Sequence, residues 1–183
     1  CGTVFRKKMS NSQDSEIVNL LKNAGAIIMG KTVTCELAYI HPSKTKNPHD
    51  YSRTPGGSSS GSAAAVASHM AHLSIGSQTG GSIIRPASYC GVVGYKPSYG
   101  LISRSGVLKT SEKLDTMGVF GKTVKDVALL AKTLIKKDLY DPATVHFAAD
   151  DMIKVCDEGP IFEPKFIFYK TSNWKDINKE SQK

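Results

Sequence analysis

Ile17, Leu20, Leu21 and Ala24 recur at the three-to-four-residue spacing of one helix face, and Gly25 follows them as a stop. The pattern predicts a helix over residues 15–22. Residues 26–29 (AIIM) are an uninterrupted apolar run, the pattern of a short buried strand. Residues 41–51 are polar and carry Pro42 and Pro48 with Lys44 and Lys46 between them, which is loop chemistry. The alanines of residues 62–70 (SAAAVASHM) favour a second helix. Residues 72–75 read as a strand, followed by a glycine-rich turn over residues 76–81. Residues 83–100, rich in glycine, proline and β-branched side chains, read as short strands and turns. Another helix opens at Thr123, whose hydroxyl can cap it. Asp126 stands three residues on, and Val124, Val127, Ala128, Leu130, Ala131 and Leu134 supply its apolar side. Residues 166–169 read as one more strand, and residues 175–183 are polar. Internal repeats are absent. Helices alternating with strands predict an α/β protein, a mixed β-sheet core flanked by helices.

Composition narrows the function classes. The 183 residues are 40% hydrophobic and 22% charged, the balance of a globular chain. A chain of this length can bury roughly 70% of its unfolded surface in one core. The longest apolar runs, such as residues 24–30, fall far short of the roughly 20 residues that a membrane helix needs. No basic segment leading into an apolar stretch opens the sequence, so secretion is not expected. The formal charge of +8 comes from scattered lysines, with doublets at Lys7-Lys8 and Lys136-Lys137. A nucleic-acid face would cluster them with stacking aromatics, so no nucleic-acid partner is expected. Cys1, Cys35, Cys90 and Cys156 form no CxxC pair or Cys/His cluster. They read as reduced thiols of a cytoplasmic protein, most of them small buried hydrophobes, with no disulfide framework and no metal.

Residues 25–32 (GAIIMGKT) fit the phosphate-loop pattern GxxxxGK[ST]. That pattern works only when a strand precedes the first glycine and a helix follows the lysine. Here a helix precedes Gly25, the middle residues are apolar, and Val33 and Thr34 start helices poorly. Nucleotide hydrolysis is therefore rejected, and no cofactor is expected.

Candidate chemistry concentrates between Pro55 and Pro97. Two glycine/serine turns, GGSSSGS at residues 56–62 and GSQTGGS at residues 76–82, flank the alanine-rich helix. A flexible linker would not run into AAAVA and then into a second similar turn. Paired glycine turns let backbone N–H groups converge on an anion, either a phosphate or the oxyanion of acyl transfer. Serine needs a base to become a nucleophile. His41, His49, His69, His72 and His146 are available, but no GxSxG elbow surrounds Ser82. His69 and His72, in or just past the alanine helix, fit surface or packing roles better. The residues alone lead to a glycine-rich serine site suited to acyl transfer.

Five blocks carry a closer likeness: LLKNAGAIIMGKTVTCELA, Asn47-Pro48, PGGSSSGSAAAVA, GSQTGGSIIRPASYCGVVGYKPSYG and LDTMGVFGKTVKDVALL. Together they span nearly the whole chain, which resembles the amidase signature enzymes. The resemblance implies a Ser-Ser-Lys triad without histidine. Ser82 would form the acyl-enzyme, and Ser58, preceded by a cis peptide, would bridge it to the lysine. The N–H groups of Thr79, Gly80, Gly81 and Ser82 would form the oxyanion hole. Glycine at 80 and 81 would keep a Cβ from crowding the tetrahedral intermediate.

Three positions depart from the common family pattern. Gln78 stands where many members carry an acidic residue, Arg85 sits one place late, and Ser60 replaces a usual glycine. Together they suggest a branch and weaken the case for an Asp–Arg pair supporting Ser82. The family's lysine would lie before the segment that opens this chain, and Lys7, Lys8 and Lys31 do not match its motif. The base is therefore expected outside these residues. The resemblance further implies one partial domain over residues 1–183, its signature core at about residues 24–134 and its C-terminal part truncated. PKFIFYKTSNW would open a later half that sets substrate preference. The expected activity is hydrolysis of a small-molecule amide in the cytoplasm, without a membrane, with a homodimer of the full-length enzyme. One alternative is the glutaminase-type A subunit of an amidotransferase, against which Gln78 argues. The other is a catalytically inactive truncated product.

Overall fold

The computed structural model describes residues 1–6, 13–149 and 151–182, so Lys7 and Lys8 lie outside the described residues. The clearest helix signal is realised as α4, Val124–Leu134, closed at its start by a reciprocal capping box. The Asp126 N–H donates to the Thr123 hydroxyl at 3.2 Å, and the Thr123 N–H donates to the Asp126 carboxylate at 2.8 Å. Its apolar stripe buries Val127, Ala128, Leu130, Ala131 and Leu134. α1, Glu16–Asn23, adds Ile17 and Leu21 to the cluster that this stripe forms with Ile102, Met117, Val119, Ile135 and Ala149.

Between two helical layers runs a three-stranded sheet in the order β1–β3–β2. β3, Thr116–Gly121, is the centre, with β1, Ser74–Gln78, and β2, Val93–Tyr95, antiparallel on either side. All six residues of β3 are buried. Val119 and Met117 face the α1/α4 cluster, while Phe120 joins a second cluster with Ala63, Val66, Ala67, Ile83, Ala87 and Cys90. Those residues come from α2, Ser60–Ala67, and from α3, Ile84–Cys90, with the residue that precedes it. The expected α/β architecture is thus present, and its three strands are all antiparallel.

Several local expectations are corrected. α3 occupies residues expected to be strands and turns. Pro86 falls in its first turn, where a missing N–H costs nothing, and Gly91 ends it at a left-handed φ of 63°. The helix at α2 starts two residues earlier than predicted, at Ser60, and ends at Ala67. β1 takes Gly76 to Gln78 from the expected turn because the glycine permits close packing. A Cβ on Gly76 would lie 2.5 Å from Ser59 Oγ and 2.9 Å from the Phe120 ring. Residues 26–29 and 166–169 form no strand, and their side chains are exposed. An apolar run becomes a strand only by pairing its backbone with a neighbour, and neither run finds one among the described residues.

Residues 31–34, directly after Lys31, are not helical, in keeping with rejection of the phosphate loop. Cys35 and Cys90 are buried free thiols, whereas Cys156 is half-buried and Cys1 exposed. No helix among the described residues is long and apolar enough to cross a membrane.

Candidate active site

The first turn is built on small residues because its backbone is pressed against its neighbours. Gly56 has a left-handed φ of 78°, and a Cβ there would strike Pro86 Cα at 2.8 Å. The Gly57–Ser58 peptide is cis, as the resemblance implied. The Cys35 thiol lies directly behind it, where a Cβ on Gly57 would approach the sulfur to 2.5 Å. The Cys35 N–H donates to the Ser58 carbonyl at 2.9 Å, and Ser60 Oγ donates to the Gly56 carbonyl at 2.8 Å. Ser60 thus closes the turn from inside.

The second turn leaves the end of β1 and enters α3. Gln78 is buried, and its side-chain carbonyl accepts the Ile83 and Ile84 N–H groups at 2.8 and 3.1 Å. Its amide nitrogen donates to the Gly80 carbonyl at 3.1 Å. Next to it, the Thr79 hydroxyl donates to Asp115 at 2.5 Å. Asp115 also accepts the N–H groups of Thr110 and Ser111 at 2.5 and 3.0 Å. Burial alone would raise the Asp115 pKa, but the bonds from Thr79, Ser111 and Thr110 outweigh it and hold the carboxyl below its ordinary range. The carboxylate therefore stays charged and keeps Thr79 fixed.

Four bonds stitch the turns together, one of them from the Ser77 N–H to the Ser59 hydroxyl at 3.3 Å. The Ser59 N–H donates to the Ser82 carbonyl at 3.2 Å, the Ser59 hydroxyl donates to the Ser77 carbonyl at 3.2 Å, and Arg85 Nε donates to the Gly57 carbonyl at 3.1 Å. Ser58 therefore sits one residue from the backbone contact with Ser82, and both are buried, at 2% and 8% exposure. Arg85 joins the cis turn to α3 rather than pairing with an acid beside Ser82.

Around Ser82 the backbone has one-sided bonding. The carbonyls of Gly80, Gly81 and Ser82 all accept hydrogen bonds, from Gln78, from the Arg85 N–H and from the Ser59 N–H. The N–H groups of Thr79, Gly80, Gly81 and Ser82 donate to no acceptor among the described residues. A Cβ on Gly80 would meet nothing within 4 Å, and on Gly81 only the Arg85 side chain at 3.7 Å. Neither φ nor protein packing demands glycine at either place. The open space and the unclaimed donors suit an approaching oxyanion.

All five histidines are exposed, and the His49 ring bonds the Cys90 carbonyl at 2.9 Å. Lys31 is exposed on the segment after α1. The structure thus brings Ser58, Ser82 and residues 79–81 together, and Lys31 lies outside that cluster's bonds. Sequence reasoning missed Asp115, 36 residues from its partner Thr79, and Cys35 behind the cis turn. The only early signal for Asp115 was its place inside the LDTMGVFG block.

A family model described as Amidase matches residues 1–166. The chain belongs to the amidase family. Among amidase-family relatives, it is 47% identical over 153 residues to the A subunit of the glutamyl-tRNA(Gln) amidotransferase of Alkaliphilus metalliredigens, covering 80% of this chain and 31% of that one. The crystal structure of the A subunit of the glutamyl-tRNA(Gln) amidotransferase of Thermotoga maritima superposes with a TM-score of 0.77 at 41% identity, covering 80% of this chain and 34% of that chain. The native peptide amidase of Stenotrophomonas maltophilia superposes with a TM-score of 0.73 at 36% identity, covering 78% and 32%. This chain therefore spans about a third of the length of the amidase-family proteins it matches.

Proposed function

We propose that this chain carries the nucleophile, the bridging serine and the oxyanion hole of a serine amidase. Ser82 Oγ attacks the amide carbonyl carbon, and the displaced π-electron pair becomes an oxyanion held by the N–H groups of Thr79, Gly80, Gly81 and Ser82. Ser58 relays the Ser82 proton to a lysine base outside these residues. A proton returned to the leaving nitrogen lets the C–N bond break, leaving an ester on Ser82. Water enters by the same relay, cleaves the ester and restores the serine. The observation that carries this reading is the one-sided bonding of the loop, with the Gly80, Gly81 and Ser82 carbonyls bonded and four consecutive N–H groups unclaimed among the described residues. Substrate is a small-molecule amide, with no nucleic-acid or membrane partner, in a cytoplasmic enzyme whose full-length form is a homodimer.

Steady-state kinetics of amide hydrolysis by the full-length protein test the reading. Ser82→Ala should abolish turnover, and Ser58→Ala should lower kcat by at least about 10²-fold, the scale of lost proton-transfer catalysis. Activity retained in Ser82→Ala sinks the proposal.

A second reading is favoured by the 47% identity to the A subunit of an amidotransferase. In it Ser82 takes its acyl group from glutamine, and the ammonia released passes to a tRNA-linked acceptor with the help of partner subunits. Dependence of activity on glutamine and on partner subunits supports it, while hydrolysis of simple amides by the isolated full-length chain excludes it.

A further inference from the structure

We infer that Gln78 is a positioning residue that sets the direction of an oxyanion-hole donor by locking the Gly80–Gly81 peptide plane. The inference rests on the reading of Ser82 as nucleophile and concerns how its donors are aimed.

A peptide unit is planar, so its carbonyl and the next N–H point to opposite sides. Fixing the Gly80 carbonyl therefore fixes the Gly81 N–H. This peptide is flanked by two glycines, the residues with the widest choice of backbone angles. A Cβ at Gly80 would touch nothing, so packing does not hold the plane either. The Gly80 carbonyl accepts a single hydrogen bond among the described residues, from Gln78 Nε2 at 3.1 Å. That bond turns the carbonyl inward and the Gly81 N–H toward the open side. The Gln78 carbonyl oxygen meanwhile accepts the Ile83 and Ile84 N–H groups, anchoring the chain on the other side of Ser82. One buried amide thus braces both flanks of the nucleophile.

The two jobs need opposite chemistry. Accepting from Ile83 and Ile84 needs an oxygen, which a carboxylate supplies equally well. Donating to Gly80 needs an N–H or O–H, which an ionised carboxylate lacks. Gln78→Glu is therefore a selective lesion. It keeps the anchor of α3 and replaces the peptide lock with repulsion between a carboxylate and a carbonyl. Protonation of the introduced carboxyl restores a donor.

The test is the kinetics and thermal unfolding of the full-length protein, wild type against Gln78→Glu, between pH 8 and pH 5. Loss of one aimed oxyanion donor predicts a kcat lower by about 10²-fold at pH 8 with KM little changed. The ratio to wild type should recover as pH falls toward the carboxyl range, about 4.3 for an unperturbed glutamate. Asp115, through Thr79, and Arg85, beside Gly81, are the charged groups facing this loop. Both are present in each protein, so they stand on both sides of the ratio. Gln78→Met, similar in length without donor or acceptor, should lose kcat equally at both pH values. A constant Gln78→Glu ratio across pH, or wild-type kcat in either variant, overturns the inference. If Ser82→Ala retains activity, the underlying reading fails as well. If Ser82→Ala is dead while the Gln78 variants are unimpaired, only the role of Gln78 fails.

Discussion

Asp141→Ala should destabilise this protein severely, because it strands a buried charge. Arg104 and Asp141 both have side chains only 2% exposed. The Asp141 carboxylate accepts Arg104 Nε at 3.1 Å, Arg104 Nη2 at 3.1 Å and the Arg104 backbone N–H at 2.8 Å. It also accepts the Ala143 N–H at 3.2 Å. Burial disfavours the carboxylate, but these bonds reverse the effect and hold the Asp141 pKa below its ordinary value, while Asp141 raises that of Arg104. Removing the acid leaves the guanidinium with the Glu112 carbonyl, the mostly exposed Glu112 carboxylate and the Tyr99 ring. Breaking one side of such a pair costs about 3–5 kcal/mol. At roughly 2–4 °C per kcal/mol for a chain of this size, thermal unfolding followed by circular dichroism should show a melting point lower by about 6–20 °C. Asp50→Ala, which breaks an exposed pair with Arg53 and the exposed bonds from Ser52, is the control and should leave the melting point nearly unchanged. The loss should also reach the site, since Arg104 Nη1 holds the Glu112 carbonyl in the segment that carries Asp115 to Thr79. A change below about 1 kcal/mol in Asp141→Ala would refute the argument, because it would mean the buried guanidinium finds equal partners without the acid.

Gly81→Ala should fold with a melting point within about 2 °C of wild type, because its Cβ would meet only Arg85 at 3.7 Å, yet it should lose most amide hydrolysis by occupying the oxyanion's space. Circular dichroism and kinetics on the same sample check both halves. Acid should unfold the protein steeply. Asp115, Asp138 and Asp141 all have folded-state pKa values below the unfolded value of 3.8. Their contribution to stability is complete above that value and is lost as pH falls through the folded pKa, since the unfolded chain binds protons first. A denaturant midpoint that stays flat from about pH 5 to pH 2 would contradict this.

How much of the fold could be read from the sequence depended on how local each cause is. α4 was legible because its cap, Asp126 and its apolar stripe lie within the helix itself. α3 was not, since the groups at its start are held by a side chain across a turn, Gln78. β3 gave no alternation to detect because helices cover both of its faces and all six residues are buried. Residues 26–29 and 166–169 were misread because apolar content signals burial without naming a partner strand. At the site, the residues alone led as far as a glycine-rich serine centre. Likeness of motifs singled out Ser58, Ser82 and the N–H groups from Thr79 to Ser82. What neither could supply is the bracing by Gln78 and Asp115, which depends on β1, α3 and the 110–115 segment meeting in space.

The claim that Ser82 is an activated nucleophile can be tested by exposing the full-length protein to a fluorophosphonate probe and mapping the adduct by peptide mass spectrometry. The account predicts a single modification on the peptide containing Ser82, absent in Ser82→Ala. Labelling that persists in Ser82→Ala, or that maps to another residue, would contradict it.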